Sequence, residues 1–290
     1  MMLPLLLIAI LGVALGISWL CVYLVYLGET VPAARRPVDL AVPLLFGVML
    51  IAEWELVTRG FGIPEILLPA PSVILAAAAN ALPTLWEDVV QTFVRSVLSG
   101  YVVGCGLGFL AALLINRSDF LKRGLLPLGN FVSALPIVGV APIAVMWFGF
   151  DWQSKAAVIV LMTFFPMLVN TEAGLTAAGH MERDLMRTYA ATWGDEMRRL
   201  RLPAAWPFIF NALKINSTLA LIGAIVAEFF GAPTYGVGFR ISTEMGRMNT
   251  AMVWAEIGVA AILGSAFYGV IALIERRVTF WHPSVRKGQR

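Results

Sequence analysis

Four carboxylates stand at membrane depth in an otherwise apolar chain: Glu53 and Glu55 at one end of an apolar run, Glu228 at the end of another and Glu256 at the start of a third. A carboxylate facing lipid costs several kcal/mol, so each is expected to meet protein or water. An acid so placed can relay a proton, brace a gate or hold a helix end by hydrogen bonds. For Glu228 two readings stand: an interfacial or helix-holding role, and a place on a translocation cavity or outer gate. Proton coupling would ask for a charge nearer mid-membrane. Neutral polar groups at similar depth, Asn130, Ser133, Thr163, Asn170, Asn216, Ser217 and Thr218, either tie helices together or line a path.

Motif chemistry is otherwise absent. There is no nucleophile elbow, zinc-protease pair, dinucleotide fingerprint or phosphate loop, and no Gly-Lys pair anywhere. Any ATP is therefore bound by another chain. His180 and His282 lie far apart, and Cys21 and Cys105 fall within apolar runs, so neither a metal site nor a disulfide is expected. Gly100, Gly104, Gly106 and Gly108 sit inside an apolar run, where small residues let helices approach closely.

These residues need apolar helices to carry them. Of 290 residues 59% are hydrophobic and 13% charged, too little polar surface for a soluble protein of this length. Apolar runs read at 4–27, 38–57, 93–115, 125–149, 156–171, 208–230 and 252–274. The run 125–149 holds Pro127, Pro136 and Pro142, which predicts an irregular, inward-facing helix. The first run carries no Lys or Arg before Arg35 and no clear cleavage site follows it, so a retained helix is expected rather than a signal peptide. Alternate loops hold Arg35, Arg36, Arg117, Lys122, Arg123, Arg183, Arg187, Arg198, Arg199, Arg201, Arg276, Arg277, Arg286, Lys287 and Arg290; the opposite set holds only Arg59, Lys155, Arg240 and Arg247. That places the first set and the C-terminus in the cytoplasm, and the four carboxylates toward the outside. The net charge of +3 is accounted for by these loops and implies no nucleic-acid partner. With Arg95 and Lys214 taken as helix-end residues, nothing cationic lies deep and no anion site is expected.

The polar segment 172–206 is the longest departure from this pattern. Met181, Leu185, Met186, Tyr189, Trp193, Met197 and Leu200 recur at helical spacing among Arg and Glu, which predicts one amphipathic helix or two short ones. Gly194 and Asp195 are candidate break points, and Pro203 is expected to end the helix before the next span. Periodicity alone leaves two roles open, docking on a partner or lying on lipid.

The stretch Ala190 to Ala205, followed by Pro207, Ile209, Phe210 and Leu213, resembles the cytoplasmic EAA loop of binding-protein-dependent ABC importer permeases. Leu202-Pro203 anchors the match, Leu200 takes the Ile position, Ala190 the Gly position and Asp184-Leu185-Met186 the Glu-Ala-Ala position. Because Ala190 replaces the bending glycine, the bend is expected to have moved toward Gly194. Leu67-Leu68-Pro69-Ala70-Pro71-Ser72, Trp147-Phe148-Gly149-Phe150 with Ser154-Lys155 and Phe164-Phe165-Pro166, Ala227-Glu228-Phe229-Phe230-Gly231 and Gly236-Val237-Gly238-Phe239 look, in order, like segments of the nitrate, sulfonate and taurine branch. The wording Arg187-Thr188-Tyr189-Ala190-Ala191 also looks like relatives for pyrimidine, thiamine-precursor or riboflavin uptake.

The resemblance implies an all-α membrane protein with a type I ABC importer transmembrane domain, a six-helix core plus one extra N-terminal helix. Its divisions would be 1–37, the extra helix; 38–276, the permease domain; and 277–290, a cytoplasmic tail. It implies a second permease copy, an ATPase dimer that holds the ATP and Mg, an external substrate-binding protein and a bacterial inner membrane as setting. Asp184, Ala190, Ala191, Gly194, Arg198, Arg201, Leu202 and Pro203 would form the coupling loop. Asn130, Ser133, Thr163, Asn170, Asn216, Ser217 and Glu228 are the path candidates. A secondary transporter would show inverted repeats and a mid-membrane charge, and a membrane enzyme a catalytic cluster; neither pattern is seen.

Overall fold

The computed structural model describes residues 12, 16, 18–26, 30, 35–133, 135–232 and 234–281, and among them every regular element is a helix. Residues 12, 16 and 18–26 are helical; the remainder of the run 4–27, and the tail beyond 281, lie outside the described residues. In chain order the helices are α1 (Arg35–Gly60), α2 (Pro71–Asn80), α3 (Leu82–Ile115), α4 (Asp119–Ser133), α5 (Ile137–Phe148), α6 (Trp152–Thr176), α7 (His180–Thr188), α8 (Trp193–Phe229), α9 (Val237–Gly246) and α10 (Thr250–Val278). Among them α1, α3, α6, α8 and α10 are long and apolar enough to cross a bilayer.

The apolar runs become these helices with three corrections. The run 125–149 is not one helix: it parts at Leu135–Pro136, where Pro136 adopts an extended ψ of 117° and caps α5. Pro127 and Pro142, by contrast, stay inside α4 and α5. Pro203 does not stop a helix. α8 runs unbroken from Trp193 through Pro203 and Pro207 to Phe229, and a wider π-helical turn, Met197–Arg201, ends two residues before Pro203 and loosens the register its missing N–H would otherwise break. Arg95 and Lys214 are not at helix ends either. Arg95 lies in a π-helical stretch, Val90–Val97, inside α3, and Lys214 lies within α8, where its Nζ meets Glu275 Oε2 of α10 at 2.7 Å.

The chain divides into two compact units, Met1–Leu82 with Glu244–Ala255 and Pro83–Thr243 with Glu256–Arg290. In the larger unit α6 is the central helix, packed along its length by α3 and α8. Gly100, Gly104 and Gly108 make the first of these contacts possible. A Cβ at Gly100 would stand 2.6 Å from Ile159 Cβ, one at Gly104 2.9 Å from Val160 Cα and one at Gly108 2.9 Å from Met167 Cβ. Gly106, on the opposite side, meets nothing within 4 Å. The core gathers Val97, Tyr101 and Cys105 of α3, Ile159 and Met167 of α6, and Ile209, Phe210 and Leu221 of α8. In the smaller unit Glu55 of α1 holds the first turn of α2: Oε2 accepts from Ser72 N at 2.9 Å and Oε1 from Ser72 Oγ at 2.7 Å, with Arg59 paired to the same carboxylate. Pro71 opens that helix, so the Leu-Pro-Ala-Pro-Ser stretch is a helix start and Glu55 a brace for a helix end.

Candidate functional site

The polar segment folds as two helices joined by a tight turn. α7 buries no residue, and Met181, at 84% exposed, Leu185 and Tyr189 present an apolar face outward. The turn is a Schellman motif: Ala190 N donates to Arg187 O at 2.9 Å and Ala191 N to Met186 O at 3.0 Å, with Ala190 at φ +52°. The bend therefore sits at Ala190, and the expected shift to Gly194 is corrected. Gly194 lies in the first turn of α8, because Thr192 and Asp195 form a capping box that starts the helix just before it. The alanine is held left-handed by the two carbonyls its turn satisfies, against the cost of its Cβ.

Arg198 and Arg201 lie three apart but differ in surroundings. Arg198 is exposed. Arg201 does not project from the loop: its side chain is 16% exposed, Nε and Nη2 lie 2.7 and 2.6 Å from Glu196 Oε1, and Nη1 donates to Asn116 Oδ1 at 2.7 Å. It thus ties the start of α8 to the end of α3. Arg117, next to Asn116, stacks over Trp193 at 5.5 Å. Asp184 faces Arg187 at 3.6 Å with both side chains over two-thirds exposed, a pair worth little. Leu202 and Pro203 are half-buried.

The polar residues within the spans mostly point into the chain. Thr163, Asn216 and Ser217 are fully buried. Thr163 and Ser217 donate to carbonyls of their own helices, those of Ile159 at 2.8 Å and Lys214 at 2.7 Å. Asn216 Nδ2 donates to Thr163 O at 2.8 Å and reaches Cys105 Sγ at 3.2 Å, so one amide joins α8 to both α6 and α3. Thr218 likewise bonds Ile215 O, and Asn170 bonds Pro166 O while accepting from Asn211 at 3.4 Å. The side chains of Asn130 and Ser133 lie outside the described residues. A cavity of about 150 Å³ between α4, α5, α6 and α8 is lined by Val132, Ile137, Val158, Met162 and Leu219 among others, and by none of the nominated path residues whose side chains are described.

Glu228 belongs to a buried clamp that sequence reasoning missed in part. Three side chains take the three amides at the start of α9: Asp88 Oδ1 accepts from Gly236 N at 2.6 Å, Thr92 Oγ1 from Val237 N at 2.8 Å, and Glu228 Oε2 from Gly238 N at 2.7 Å. Thr92 donates in turn to Glu228 Oε1 at 2.8 Å, and Asp88 also pairs with Arg240 at 2.9 Å. Glu228, 2% exposed, is therefore neither interfacial nor on an open cavity in this conformation. Glu256 is wholly buried beside Asp88. Gly236 takes φ +128°, and a Cβ at Gly238 would strike Ile225 O, so both glycines are required for the amides to reach their acceptors. The spacing of Asp88 and Thr92, one helical turn apart, was the available signal. Outside the spans, the Gln91 amide and then the Trp152 N–H hold the Asp151 carboxylate below the ordinary range.

No group of three or more metal-ligating side chains forms among the described residues. Comparison with known proteins supplies the identity. Residues 104–280 match the family described as the binding-protein-dependent transport system inner membrane component. The formylaminopyrimidine transport permease protein of Halalkalibacterium halodurans is 32% identical over 85% of this chain and 98% of its own. A putative aliphatic sulfonates transport permease protein of Bacillus subtilis is 29% identical over 83% of this chain and 87% of its own. Among solved structures, an inward-facing form of the MetNI methionine ABC transporter superposes with a TM-score of 0.55 at 20% identity, covering 68% of this chain and 95% of that one, which shows the fold. The chain is a member of the binding-protein-dependent transport family, an all-helical inner-membrane permease of an ABC importer.

Proposed function

We propose that the chain carries a small solute across the membrane by alternating access, as one of two permease copies fed from outside by a binding protein and driven by a separate ATPase dimer that holds the ATP and Mg. The C-terminus lies in the cytoplasm on this reading, and the motor docks on the segment from Asp184 to Pro203. The observation that carries it is α7, a helix with no buried residue and an outward row of Met181, Leu185 and Tyr189, set rigidly by the Ala190 turn and the Thr192 capping box. An apolar row so exposed at the end of a polar loop suits burial in a partner's cleft. Closure of the motor would draw two such helices together and switch the cavity, a rigid-body change of the kind that supports alternating access. The solute is nitrate-, sulfonate- or taurine-like on this reading, with a pyrimidine, a thiamine precursor or riboflavin as the alternative; relatives named for sulfonates and taurine and relatives named for formylaminopyrimidine and riboflavin support the two in turn.

Co-purification of the ATPase with tagged permease tests the docking surface. Leu185→Glu and Arg198→Glu should cut ATPase recovery at least tenfold with normal membrane levels, because they place a charge or its reversal in a desolvated contact. Arg286→Glu and Lys287→Glu, on the tail, should not. Arg201→Glu should instead lower the level of folded permease, since it sets a carboxylate against Glu196. Equal ATPase recovery with the loop and tail variants would assign α7 to the lipid surface and place the motor elsewhere.

A further inference from the structure

Arg95, a described cation of α3, is left without a task by the permease reading. Counting back from Ile115 at 1.5 Å per residue puts it about 30 Å from that end of α3, a full hydrocarbon thickness. It stands in the π-helical stretch Val90–Val97, a local widening that often marks functional positions. The side chain is exposed on the surface of the chain, and a full hydrocarbon thickness from Ile115 is the level of the outer interface, where a guanidinium meets water, a headgroup, a ligand or a partner. Among the described residues it makes no close ion pair, and its charge acts at longer range on the Asp151 carboxylate. Its hydrogen bond is a single one, Nη1 to Gln91 Oε1 at 3.1 Å. Gln91 is itself oriented, because its Nε2 donates to Asp151 Oδ1 at 2.9 Å and Asp151 caps α6 through Trp152 N at 2.8 Å. Asp151, held ionised, can only accept, so the Gln91 carbonyl is turned to Arg95. The rest of the guanidinium fork faces a cavity of about 300 Å³ lined by Trp86, Glu87, Val90, Gln91, Arg95 and Tyr235. Trp86 and Tyr235 are 67% and 47% exposed, two amphipathic rings available to a flat or short apolar body. Glu87 adds a like charge that disfavours a multiply charged anion.

We propose that this cavity is a solute station at the outer mouth of the path, taking a monoanionic or zwitterionic carboxylate or sulfonate with a planar or short apolar body. The proposal rests on the permease reading and deepens it by naming the chemistry a solute meets first. Guanidinium supplies a two-pronged donor for the oxyanion, and the aromatic pair supplies contact area at small entropic cost.

A lipid phosphodiester shares that chemistry, so the test has two media. The full-length permease is placed in phosphatidylcholine nanodiscs and in phosphate-free maltoside micelles, and binding of p-toluenesulfonate and its neutral amide, p-toluenesulfonamide, is measured by calorimetry or saturation-transfer NMR. In both media the sulfonate should bind the wild type at least tenfold more tightly than Arg95→Gln, while the sulfonamide is unaffected by that change. Trp86→Ala should weaken both probes. Equal sulfonate binding to wild type and Arg95→Gln overturns the proposal. So does binding seen in micelles and lost in nanodiscs, which gives the guanidinium to a lipid phosphate. If Arg95→Gln does not fold, the wild type alone decides, since equal affinity for sulfonate and sulfonamide is incompatible with the site. Because these measurements use the permease without a motor, they fail or succeed independently of ATPase co-purification.

Discussion

Ala190 holds a left-handed conformation, φ +52°, at the position where a helix end most often uses glycine. The cost of its Cβ there is about 1 kcal/mol, and the Schellman bonds to Arg187 and Met186 offset it locally. Ala190→Gly should therefore slow amide exchange at Ala191 by roughly fivefold, as about 1 kcal/mol implies, and Ala190→Val should speed it; hydrogen exchange across 186–192 reads both. No change in either variant would mean that the turn is held by something other than its own backbone. At this scale the sequence was legible in type but not in setting. Arg198 and Arg201 sit in one basic run, and only the fold shows that the second is spent on Glu196 and Asn116, a residue 85 positions away, while the first is free to meet a partner. The one-turn spacing of Asp88 and Thr92 marks them as a pair, but what they hold is set by the fold, since the amides they accept from belong to residues 236–237.

The long helices were legible because an apolar run of about 20 residues has few alternatives in a bilayer, where every backbone group must be satisfied within the segment. Their interruptions were not. Of the prolines at 127, 136, 142, 203 and 207, only Pro136 marks a break, because neighbouring turns absorb the others, as the wider turn before Pro203 does. The glycine run of α3 reads as a packing seam, and it packs on α6 through Gly100, Gly104 and Gly108. Gly104→Val should force the helices apart and destabilise the permease by about 1–3 kcal/mol or more, the usual range for overpacking. Gly106→Val, placed where nothing lies within 4 Å, should leave the melting temperature of the detergent-solubilised chain unchanged. A similar loss in both would mean that helix propensity, not the seam, sets the cost.

Whole-molecule behaviour follows from what the chain lacks as much as from what it holds. The larger unit is built on α3, α6 and α8, whose apolar windows are 39%, 44% and 50% buried, against 11% for α1 and α10, whose outer faces suit lipid or a second copy. With no phosphate loop in the sequence, the purified permease alone should hydrolyse no ATP, and activity should appear only when the ATPase is added. Turnover by a preparation free of other chains would require a nucleotide site this sequence does not spell. The sequence by itself determined the class, the membrane setting, the family resemblance and the position of the polar loop, because hydropathy, charge asymmetry and motif order are properties read along the chain. Tertiary structure alone decided where the loop bends, which arginine stays exposed, which amides Glu228 holds at the start of α9, and that Arg95, within a continuous helix, borders an aromatic-lined pocket. Those outcomes depend on which distant backbone amides, carbonyls and rings are brought within about 3–6 Å, and burial and pairing at that range are set by packing between helices, not by spacing along one.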